Sequence, residues 1–390
     1  MRVLFLTDSL SDLDGVGRYA MRLIAALERL EPGLEVEVLL ARKHRPTSAA
    51  VPERWRVGVA LPPDYFFYMR PSRFWPSLWL ATWRTWRAAR RADVVHAIKD
   101  YPHNLVALKA ARLAGKPCVA TAHGTYTVQP LLDPRHAARA RRTYAGFAAL
   151  ISVSAYTKRR LFEALGAGVL PEERVHVVLN CVDAEHYAAP RALGQRPWHA
   201  HPFTLGIGEL KERKGHHLAL EGWCRAVGQH PAVHHYIVGK ESDAAYRNRL
   251  VARARASGLE GRLHFLGNVS EDEKIDLLQR ALVFVHTPVN SADGGFEGFG
   301  IVYLEAAASG TPSVGTCDSG AEDAVVDGET GLLVAQNPEA VAEGLGLLLG
   351  DPVLRERMGA AGRAEARRRS WEGNAARVLE LYRSSAGGRG

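Results

Sequence analysis

Short apolar segments alternate with longer segments of helical periodicity along the whole chain. The apolar segments predict strands over residues 3–7, 36–40, 94–98, 118–122, 150–153 and 175–179, and then over 203–207, 235–238, 263–266, 283–286, 313–315 and 331–334. Helical patterns lie between them, for example over residues 18–30 and 271–280. Such alternation is typical of parallel sheets that helices cover on both faces. We therefore expect an α/β fold with two Rossmann-like, doubly wound domains.

A Pro-rich segment interrupts this alternation near the middle of the chain. Residues 188–202 contain three Pro and one Gly, which is typical of a linker. Open parallel sheets bind ligands beyond the carboxyl ends of their strands, so two such domains facing each other would bind them in the cleft between. The chemistry should therefore reside in the loops that follow strands.

The composition excludes several classes of protein. Of the 390 residues, 47% are apolar and 24% are charged, which excludes a disordered chain. The four Cys stand far apart with no His at zinc spacing, so neither a disulfide framework nor a metal site is expected. The first apolar run is too short for a signal peptide, and no apolar stretch of about 18 residues could span a membrane. A reducing cytoplasm is the expected location.

The net charge of +8 is divided unevenly between the two halves. Residues 1–197 contain 29 Lys and Arg against 17 Asp and Glu, whereas residues 198–390 contain 21 against 25. The first half is therefore basic and the second mildly acidic. This division predicts different partners for the two halves, with phosphate or membrane contacts on the first.

The loop over residues 9–18 is the first candidate for ligand contact. Gly15 and Gly17 would let the backbone approach a ligand at the start of a helix, whose free N–H groups suit phosphate or sugar oxygens. An ordinary strand-to-helix turn is the alternative. Asp12 and Asp14 form an Asp-x-Asp pair, but no further acidic ligand stands near them in the sequence.

Two further loops place charged or titratable residues after predicted strands. His123 ends one strand and is suited either to a ligand or to a hydrogen bond with a neighbouring loop. Residues 206–215 follow the first strand of the second half. This loop contains the charged residues Glu209, Lys211, Arg213 and Lys214. Its crowded cations suit a diphosphate, although a solvated charged turn is the alternative.

The strongest candidate is the segment over residues 293–310, where a Gly-rich loop leads into an apolar helix. The N–H groups near Phe299, Gly300 and Ile301 would point at an anion from the start of that helix. Glu297 precedes the helix start and Glu305 lies eight residues further on. Because a buried structural pair of carboxylates is costly, this spacing favours one carboxylate on a sugar and the other on a ribose.

These loops together resemble glycosyltransferase family 4, whose members are retaining enzymes of the GT-B fold. The matching pieces are DGVGRYA, HG, SVSAYTK, LNCVD, GELKERKG, FLGNVS, EGFGIVYLEAAASGTP and DAVVDGETGLLV, in family order. EGFGIVYLE is the Glu-x7-Glu element of that family, and SWEGNAARVLELY resembles its closing helix. The resemblance implies domains over residues 1–190 plus 371–390 for the acceptor and 200–370 for the donor.

The resemblance also implies roles for individual residues. Lys214 would neutralise the diphosphate leaving group, Glu297 would touch the donor sugar, and His123 would contact donor sugar or acceptor. Glu305 would bind the ribose hydroxyls. The other donor-binding residues would be Gly15, Gly17, Glu209, Lys211, Arg213, Asn268 and Val269 beside the base, and the backbone N–H groups of Phe299, Gly300 and Ile301. Side chains would replace the metal that other glycosyltransferases use, so neither metal nor cofactor is expected.

One residue departs from the family pattern. The family usually places Arg where this chain has Glu209, and a carboxylate facing a diphosphate would repel it. We favour the hypothesis that Lys211 or Arg213 supplies the missing charge. The alternatives are that Glu209 turns away or meets a hydroxyl, or that catalysis is weakened.

Between residues 65 and 92 the first half has six Arg, no acid and four Trp at helical spacing. The relevant residues are Trp75, Trp79, Trp83 and Trp86, with Arg84, Arg87 and Arg91 among the cations. The pattern suits a helix lying on anionic lipid, or a helix whose Trp stripe is core and whose Arg face is wet. A second cluster, at Arg135, Arg139 and Arg142, could meet a lipid-linked phosphate or an acidic sugar, or be a solvated helix face.

The sequence thus predicts a retaining hexosyltransferase that moves sugar from a UDP- or GDP-sugar to a glycan or lipid-linked acceptor in polysaccharide or lipopolysaccharide biosynthesis. The alternatives are a transferase making a small soluble glycoside and a catalytically weak sugar-nucleotide-binding partner of a glycan assembly complex. An anionic membrane surface is a further expected partner, with peripheral binding to the inner face of the cell membrane, and nucleic acid is not one.

Overall fold

Two parallel sheets organise the chain. The computed structural model describes residues 1–11, 15–41, 51–63, 69–291 and 293–387. The first unit comprises Met1–Asn180 with Trp371–Gly390, and the second comprises Cys181–Ser370. The predicted α/β class with two doubly wound sheets is confirmed.

The described part of the first unit contains a seven-stranded sheet. Its strands are β1 (Arg2–Leu6), β2 (Glu35–Ala41), β3 (Arg56–Leu61), β4 (Val94–Ala97), β5 (Cys118–Ala122), β6 (Ala149–Ser152) and β7 (Val175–Val177), in the order β3-β2-β1-β4-β5-β6-β7. The helices between them are α1 (Gly15–Leu30), α2 (Pro71–Ala89), α3 (His103–Leu113), α4 (Thr125–Leu132), α5 (Ala137–Tyr144) and α6 (Ala155–Leu165). Residues 3 to 6 of β1 are completely buried, as a strand covered on both faces requires.

The described residues of the second unit repeat this architecture with a six-stranded parallel sheet. Its strands are β8 (Phe203–Ile207), β9 (His234–Val238), β10 (Leu263–Gly267), β11 (Val283–Val285), β12 (Ser313–Thr316) and β13 (Gly331–Val334), in the order β10-β9-β8-β11-β12-β13. Its helices are α7 (Ala184–Ala188), α8 (His216–Ala226), α9 (Ala244–Ala256), α10 (Glu271–Arg280), α11 (Ile301–Ser309), α12 (Ala321–Ala324), α13 (Pro338–Gly350) and α14 (Pro352–Arg368).

The sequence pattern does not predict one strand of the first sheet, β3. The edge strand β3 alternates poorly because Arg56, Gly58 and Val59 are exposed or only half-buried, so its pattern does not stand out as a buried strand. Edge strands need only one covered side, which weakens the hydrophobic signal that predicts the central strands.

The last helix, α15 (Trp371–Gly387), packs against α1 in the first unit. The Tyr382 hydroxyl lies 2.5 Å from Nδ1 of the buried His96 on β4, and Arg29 on α1 pairs with Glu372 at 2.6 Å. These contacts hold α15 against α1 and β4 of the first unit.

The first crossing between the units lies earlier than the linker predicted over residues 188–202. Helix α7 packs against α11 and α14, so residues 181–190 belong with the second unit. The predicted limit at residue 190 is wrong by about ten residues, because a Pro-rich composition marks where regular structure ends and not which unit the preceding helix joins.

Candidate functional site

The strongest cluster of charged side chains lies beyond the carboxyl ends of β8 and β11 in the second unit. Lys214 Nζ lies 2.5 Å from Glu297 Oε2, although the two residues are 83 positions apart. Arg213 Nη1 and His286 Nε2 each lie 3.6 Å from the same oxygen. We call Arg213, Lys214, His286 and Glu297 the Glu297 cluster.

Burial and charge set the protonation of the Glu297 cluster. Burial favours the neutral form of Glu297, but Lys214, His286 and Arg213 outweigh it and hold the pKa of this carboxyl well below its usual range. Burial lowers the pKa of Lys214, and Glu297 opposes that shift. Burial also lowers the pKa of His286, so the imidazole is neutral at physiological pH. Two cations therefore surround one carboxylate, which leaves one net positive charge for an anionic ligand.

Two glycines allow the backbone to approach closely around this cluster. Gly215 has φ +70°, and a Cβ there would lie 1.6 Å from the carbonyl oxygen of Thr287 after β11. Gly300 has φ +78°, and a Cβ there would lie 2.7 Å from the Tyr303 ring. Both positions require glycine, since other residues rarely adopt this conformation and would clash here. Gly215 brings the start of α8 against the loop after β11, and Gly300 lets the chain turn into α11 beside Tyr303.

The start of α11 supplies backbone donors, as the sequence analysis predicts. Gly300 caps the helix and Ile301 is its first residue, so the first N–H groups of α11 have no acceptor four residues earlier within the helix. That of Tyr303 donates to the carbonyl oxygen of Gly300 at 2.9 Å. Phe299 is buried and fixes the approach of the chain to the helix. The partial positive charge of this helix start adds to that of the Glu297 cluster.

Glu305 lies within α11 but is not open to solvent. It is 1% exposed and its carboxylate is contacted by Tyr187 and Lys274. The family resemblance implies that Glu305 meets a ribose directly, but the sequence indicates neither of these neighbours. No motif marks either one, because Tyr187 lies in the segment assigned to the first domain and Lys274 looks like an ordinary helix lysine.

The charge of Glu209 is compensated by Lys211 in the same loop. Its Oε2 lies 2.8 Å from Lys211 Nζ. Burial tends to raise the pKa of Glu209, but hydrogen bonds from Lys211 and Ser242 prevail and lower it. Lys211 is thus paired with Glu209, and the two cations of this loop that lie beside Glu297 are Arg213 and Lys214.

The predicted base-contacting residues lie at the carboxyl end of the edge strand β10. Asn268 is exposed and Val269 half-buried, between the strand and Ser270, which caps α10 through its side chain. The position leaves both residues accessible to a ligand.

In the first unit, His123 directly follows β5. Its Nε2 lies 2.9 Å from the carbonyl oxygen of Ile98, which can only accept, so this nitrogen carries the hydrogen. Burial and, to a smaller extent, Lys99 lower the pKa of His123 to about 4. At physiological pH the ring is therefore neutral and offers Nδ1 as an acceptor for a hydroxyl.

Asp100, which the sequence analysis missed, lies beside His123. The residue is 1% exposed, burial raises its pKa to about 6, and Thr127 donates a hydrogen bond to it at 2.6 Å. Nearby, Lys99 pairs with Asp8 at 2.6 Å. The signal that could have found Asp100 is an acid three residues after the buried strand β4.

The predicted glycine loop at the start of the first unit is partly helical. Gly15 opens α1 and has open space where a Cβ would stand, so packing does not require glycine there. Gly17 lies in the first turn and is buried. Asp12 and Asp14 lie outside the described residues.

Helix α2 exposes most of its tryptophans. Trp75, Trp79 and Trp83 are 49%, 70% and 41% exposed, whereas Phe74 and Leu78 pack into the core. The alternative in which the Trp stripe forms the core is therefore wrong for these three residues. The buried face of α2 is formed instead by Phe74, Leu78 and a series of Ala and Thr residues.

The predicted arginines occupy three different environments. Arg139 on α5 stacks over Trp75, with 4.4 Å between the guanidinium carbon and the ring centroid, which brings the second cluster against α2. Arg91 and Arg135 pair with Glu37 and Asp133. Arg84, Arg87 and Arg142 are half-buried or exposed, and Arg87 lies over the ring of Trp83.

The chain matches two family models. Residues 196–365 match the model described as glycosyl transferases group 1, and residues 13–186 match the model described as glycosyltransferase family 4. The phosphatidyl-myo-inositol mannosyltransferase of Mycobacterium tuberculosis is 31% identical to this chain over 343 residues, which cover 85% of this chain and 83% of that protein.

Solved structures share the fold over nearly the whole length. The Anabaena protein HepE in complex with UDP and glucose superposes with a TM-score of 0.75 at 20% identity, covering 98% of this chain and 100% of that one. Sucrose-phosphate synthase from Thermosynechococcus elongatus gives a TM-score of 0.76 at 20% identity and covers 98% of both chains. At this identity the likeness is one of fold alone.

Proposed function

Since the chain belongs to glycosyltransferase family 4 and to the glycosyl transferases group 1, we propose that its second unit binds a nucleoside-diphosphate sugar and transfers the sugar with retention of configuration. The chain is thus a glycosyltransferase, and the predicted fold class is that of its family. The donor's base, its sugar and the acceptor are parts of the proposal that the experiments below address.

The observation that supports donor binding most strongly is the net positive charge of the Glu297 cluster next to the start of α11. A diphosphate brings negative charge that Lys214, Arg213 and the helix N–H groups can balance together. Glu297 would then release Lys214 and accept hydrogen bonds from hydroxyl groups of the donor sugar instead. Before the donor arrives, the ion pair already holds both side chains beside the helix start, which pre-organises the site for the exchange of this contact.

The proposed reaction breaks the bond between the anomeric carbon and the diphosphate oxygen, and the diphosphate leaves with the electron pair. Lys214 and the α11 start stabilise the charge that develops on the leaving group. The acceptor oxygen attacks from the same face, and the departing phosphate takes the acceptor's proton. His123, neutral with Nδ1 unprotonated, would accept a hydrogen bond from a hydroxyl of donor sugar or acceptor.

We place the ribose hydroxyls on Glu305 and the base beside Asn268 and Val269. Side-chain and backbone donors take the charge of the diphosphate in this proposal, so neither metal nor cofactor is assigned a role. Gly15 and Gly17 lie at the start of α1, where they would approach the donor or acceptor.

A thermal-shift screen of the purified protein against UDP-, GDP- and ADP-sugars tests the donor assignment. A ligand that binds only the folded form stabilises it by an amount that grows with the ratio of concentration to Kd. We expect the nucleotide sugars of one base to raise the Tm of the protein clearly more than those of the other two bases. A flat response to all three classes would contradict the proposal.

Glu209→Arg should leave donor affinity unchanged or raise it. The pairing of Glu209 with Lys211 shows that its charge is already compensated, and Arg would release Lys211 and add a cation near the diphosphate. Calorimetric Kd values for the preferred nucleotide, and kcat with the matching donor, check this expectation. A large loss of turnover would show instead that Glu209 has a role of its own and would weaken the charge argument.

We further propose that the first unit associates with anionic membrane through α2, which presents exposed Trp side chains among arginines. The mycobacterial relative is named for a phosphatidyl-inositol acceptor, which supports a lipid-linked acceptor for this chain. In the part of the chain that the structure describes, no helix combines the length and apolar character needed to cross a bilayer. Association would therefore be at the surface for these residues.

Flotation with vesicles of anionic lipid tests this surface. We expect the protein to float at low salt and to be released as salt screens the arginines. A variant carrying Trp75→Ser, Trp79→Ser and Trp83→Ser should stay at the bottom, whereas Leu347→Ser, which removes an exposed apolar side chain from the second unit, should still float. Failure of the wild-type protein to bind these vesicles at low salt would contradict the membrane proposal.

A further inference from the structure

His286 is a buried member of the Glu297 cluster whose ring makes no hydrogen bond. The residue is 1% exposed, and neither ring nitrogen has a hydrogen-bond partner among the residues that the structure describes. Its Nε2 lies 3.6 Å from Glu297 Oε2, just beyond hydrogen-bond distance. Buried polar groups are nearly always paired, so an unpaired one beside a ligand site needs an explanation. We propose that His286 is a positioning residue, which replaces Lys214 as the hydrogen-bond donor to Glu297 once the sugar nucleotide has bound.

The backbone and the ring of His286 are both held in place. The residue directly follows β11, its backbone N–H donates to the carbonyl oxygen of Val314 at 3.1 Å, and its carbonyl oxygen accepts from the Tyr303 hydroxyl. The ring packs against those of Phe284 and Tyr303, with 6.2 Å and 5.3 Å between the centroids. Glu297, which lies in the loop before α11, is therefore the residue that moves when the two side chains meet.

The protonation of the ring suits this role. Burial lowers the pKa of His286, although Glu297 opposes that shift, and the imidazole is neutral. A neutral imidazole carries one hydrogen and an ionised carboxylate can only accept, so the hydrogen belongs on Nε2. A movement of the carboxylate by about 0.6 Å brings the pair to about 3.0 Å, the usual length of such a hydrogen bond.

Donor binding removes the present partner of Glu297. Lys214 Nζ lies 2.5 Å from Glu297 Oε2, and in the proposed function the diphosphate takes this ammonium. Arg213, at 3.6 Å from the same oxygen, is attracted by the diphosphate as well. His286 is neutral, so the diphosphate attracts it far less than it attracts the two cations. It is therefore the donor of the cluster that stays with Glu297.

The sugar of the donor makes this hydrogen bond necessary. The Glu297 side chain is 13% exposed, so water can reach it while the sugar site is empty. A bound sugar excludes that water, and a buried carboxylate that loses a donor becomes costly in free energy. His286 supplies the missing donor and keeps Glu297 ionised beside the sugar. The inference rests on the proposed function, in which Glu297 contacts the donor sugar.

The test compares His286→Leu, which removes the donor, with His286→Gln, whose amide N–H can stand in for the Nε2 hydrogen. For release of sugar from the preferred nucleotide sugar, we expect His286→Leu to lower kcat/KM by about 10- to 100-fold, since a hydrogen bond to a charged group is lost. His286→Gln should stay within about threefold of wild type, because the donor is retained.

Two further measurements separate this role from a structural one. The calorimetric Kd of the nucleoside diphosphate, which leaves water on Glu297, should change by less than about threefold in both variants. The Tm of unliganded His286→Leu should not fall, because the substitution removes a buried polar group that has no partner.

His235→Leu is the matched control, because His235 is a buried histidine of β9 whose Nδ1 bonds to Thr204. It should leave kcat/KM and nucleotide affinity unchanged. A kcat/KM of His286→Leu within about threefold of wild type would overturn the inference, and so would an equal loss in His286→Gln. A joint fall of Tm and nucleoside diphosphate affinity in His286→Leu would show a merely structural role and overturn the inference, while the proposed function would stand. A wild type that releases sugar from none of the nucleotide sugars would overturn the proposed function and the inference together.

Discussion

Lys214→Gln should lower kcat/KM for sugar transfer by about 10²- to 10³-fold, the range found when one donor that stabilises developing negative charge is removed. Lys214 is the cation nearest to Glu297 and lies just before α8, where Gly215 fixes the backbone. Glutamine removes the charge and shortens the side chain by one atom, and it leaves Arg213, at 3.6 Å, as the remaining cation beside Glu297. The Glu297 cluster would then have one cation and one carboxylate, and so no net positive charge to stabilise the leaving diphosphate.

Initial-rate assays with the preferred donor, together with Tm of the unliganded variant, separate catalysis from folding. Lys109→Gln, which removes an exposed lysine from α3 in the first unit, is the control and should behave as wild type. Loss of activity by Lys214→Gln with an unchanged donor Kd would place the effect in the transition state. Turnover within threefold of wild type would contradict the assignment of Lys214 to the leaving group.

Glu305→Gln should raise the Kd of the preferred nucleoside diphosphate by about 10- to 100-fold, because a site built for hydroxyl groups loses its charged acceptor. The substitution keeps the volume of the buried side chain, so packing in α11 is preserved. It also leaves Lys274 with one carboxylate partner, Glu271, instead of two. The effect should fall on donor affinity more than on kcat.

Isothermal calorimetry with the nucleotide, compared with Glu329→Gln as an exposed control in the second unit, measures this change. The control should bind as wild type does. Unchanged nucleotide affinity in Glu305→Gln would show that the ribose does not reach Glu305, and the donor would have to lie elsewhere along α11.

The sequence predicts the central strands well, because each is a short, mostly apolar run. Several of these runs are followed by a loop that contains charged or titratable residues. The sequence also predicts that Lys214 and Glu297 belong to one site, although 83 residues separate them. Parallel strands end at one edge of a sheet, so loops that follow β8 and β11 must be neighbours. This part of the site is dictated by topology.

The neighbours of Glu305 could not be predicted in the same way. Tyr187 reaches Glu305 because α7 packs on α11, and nothing in the sequence around residue 187 says that this short helix joins the second unit. Lys274 is buried on a helix that is otherwise marked by its capping box and its apolar face. Contacts that depend on how helices pack around a sheet leave no periodic signal in the chain.

The exposure of the Trp face of α2 could not be predicted for a different reason. Four tryptophans at helical spacing predict an apolar face, but their spacing does not say whether protein or another phase covers it. Phe74, Leu78 and small residues supply the core contacts, which leaves Trp75, Trp79 and Trp83 outside. Size of the side chain was therefore a poor guide to burial in this helix.

The most direct measurement of the central claim follows label from a radiolabelled donor, UDP-glucose or GDP-mannose according to the base that stabilises the protein. The account predicts that purified wild type releases or transfers the labelled sugar from the donor, and that Lys214→Gln does so at least about 100-fold more slowly. A wild type that binds the donor tightly but neither transfers nor hydrolyses it would contradict the account, and would identify the chain as a sugar-nucleotide-binding protein without turnover.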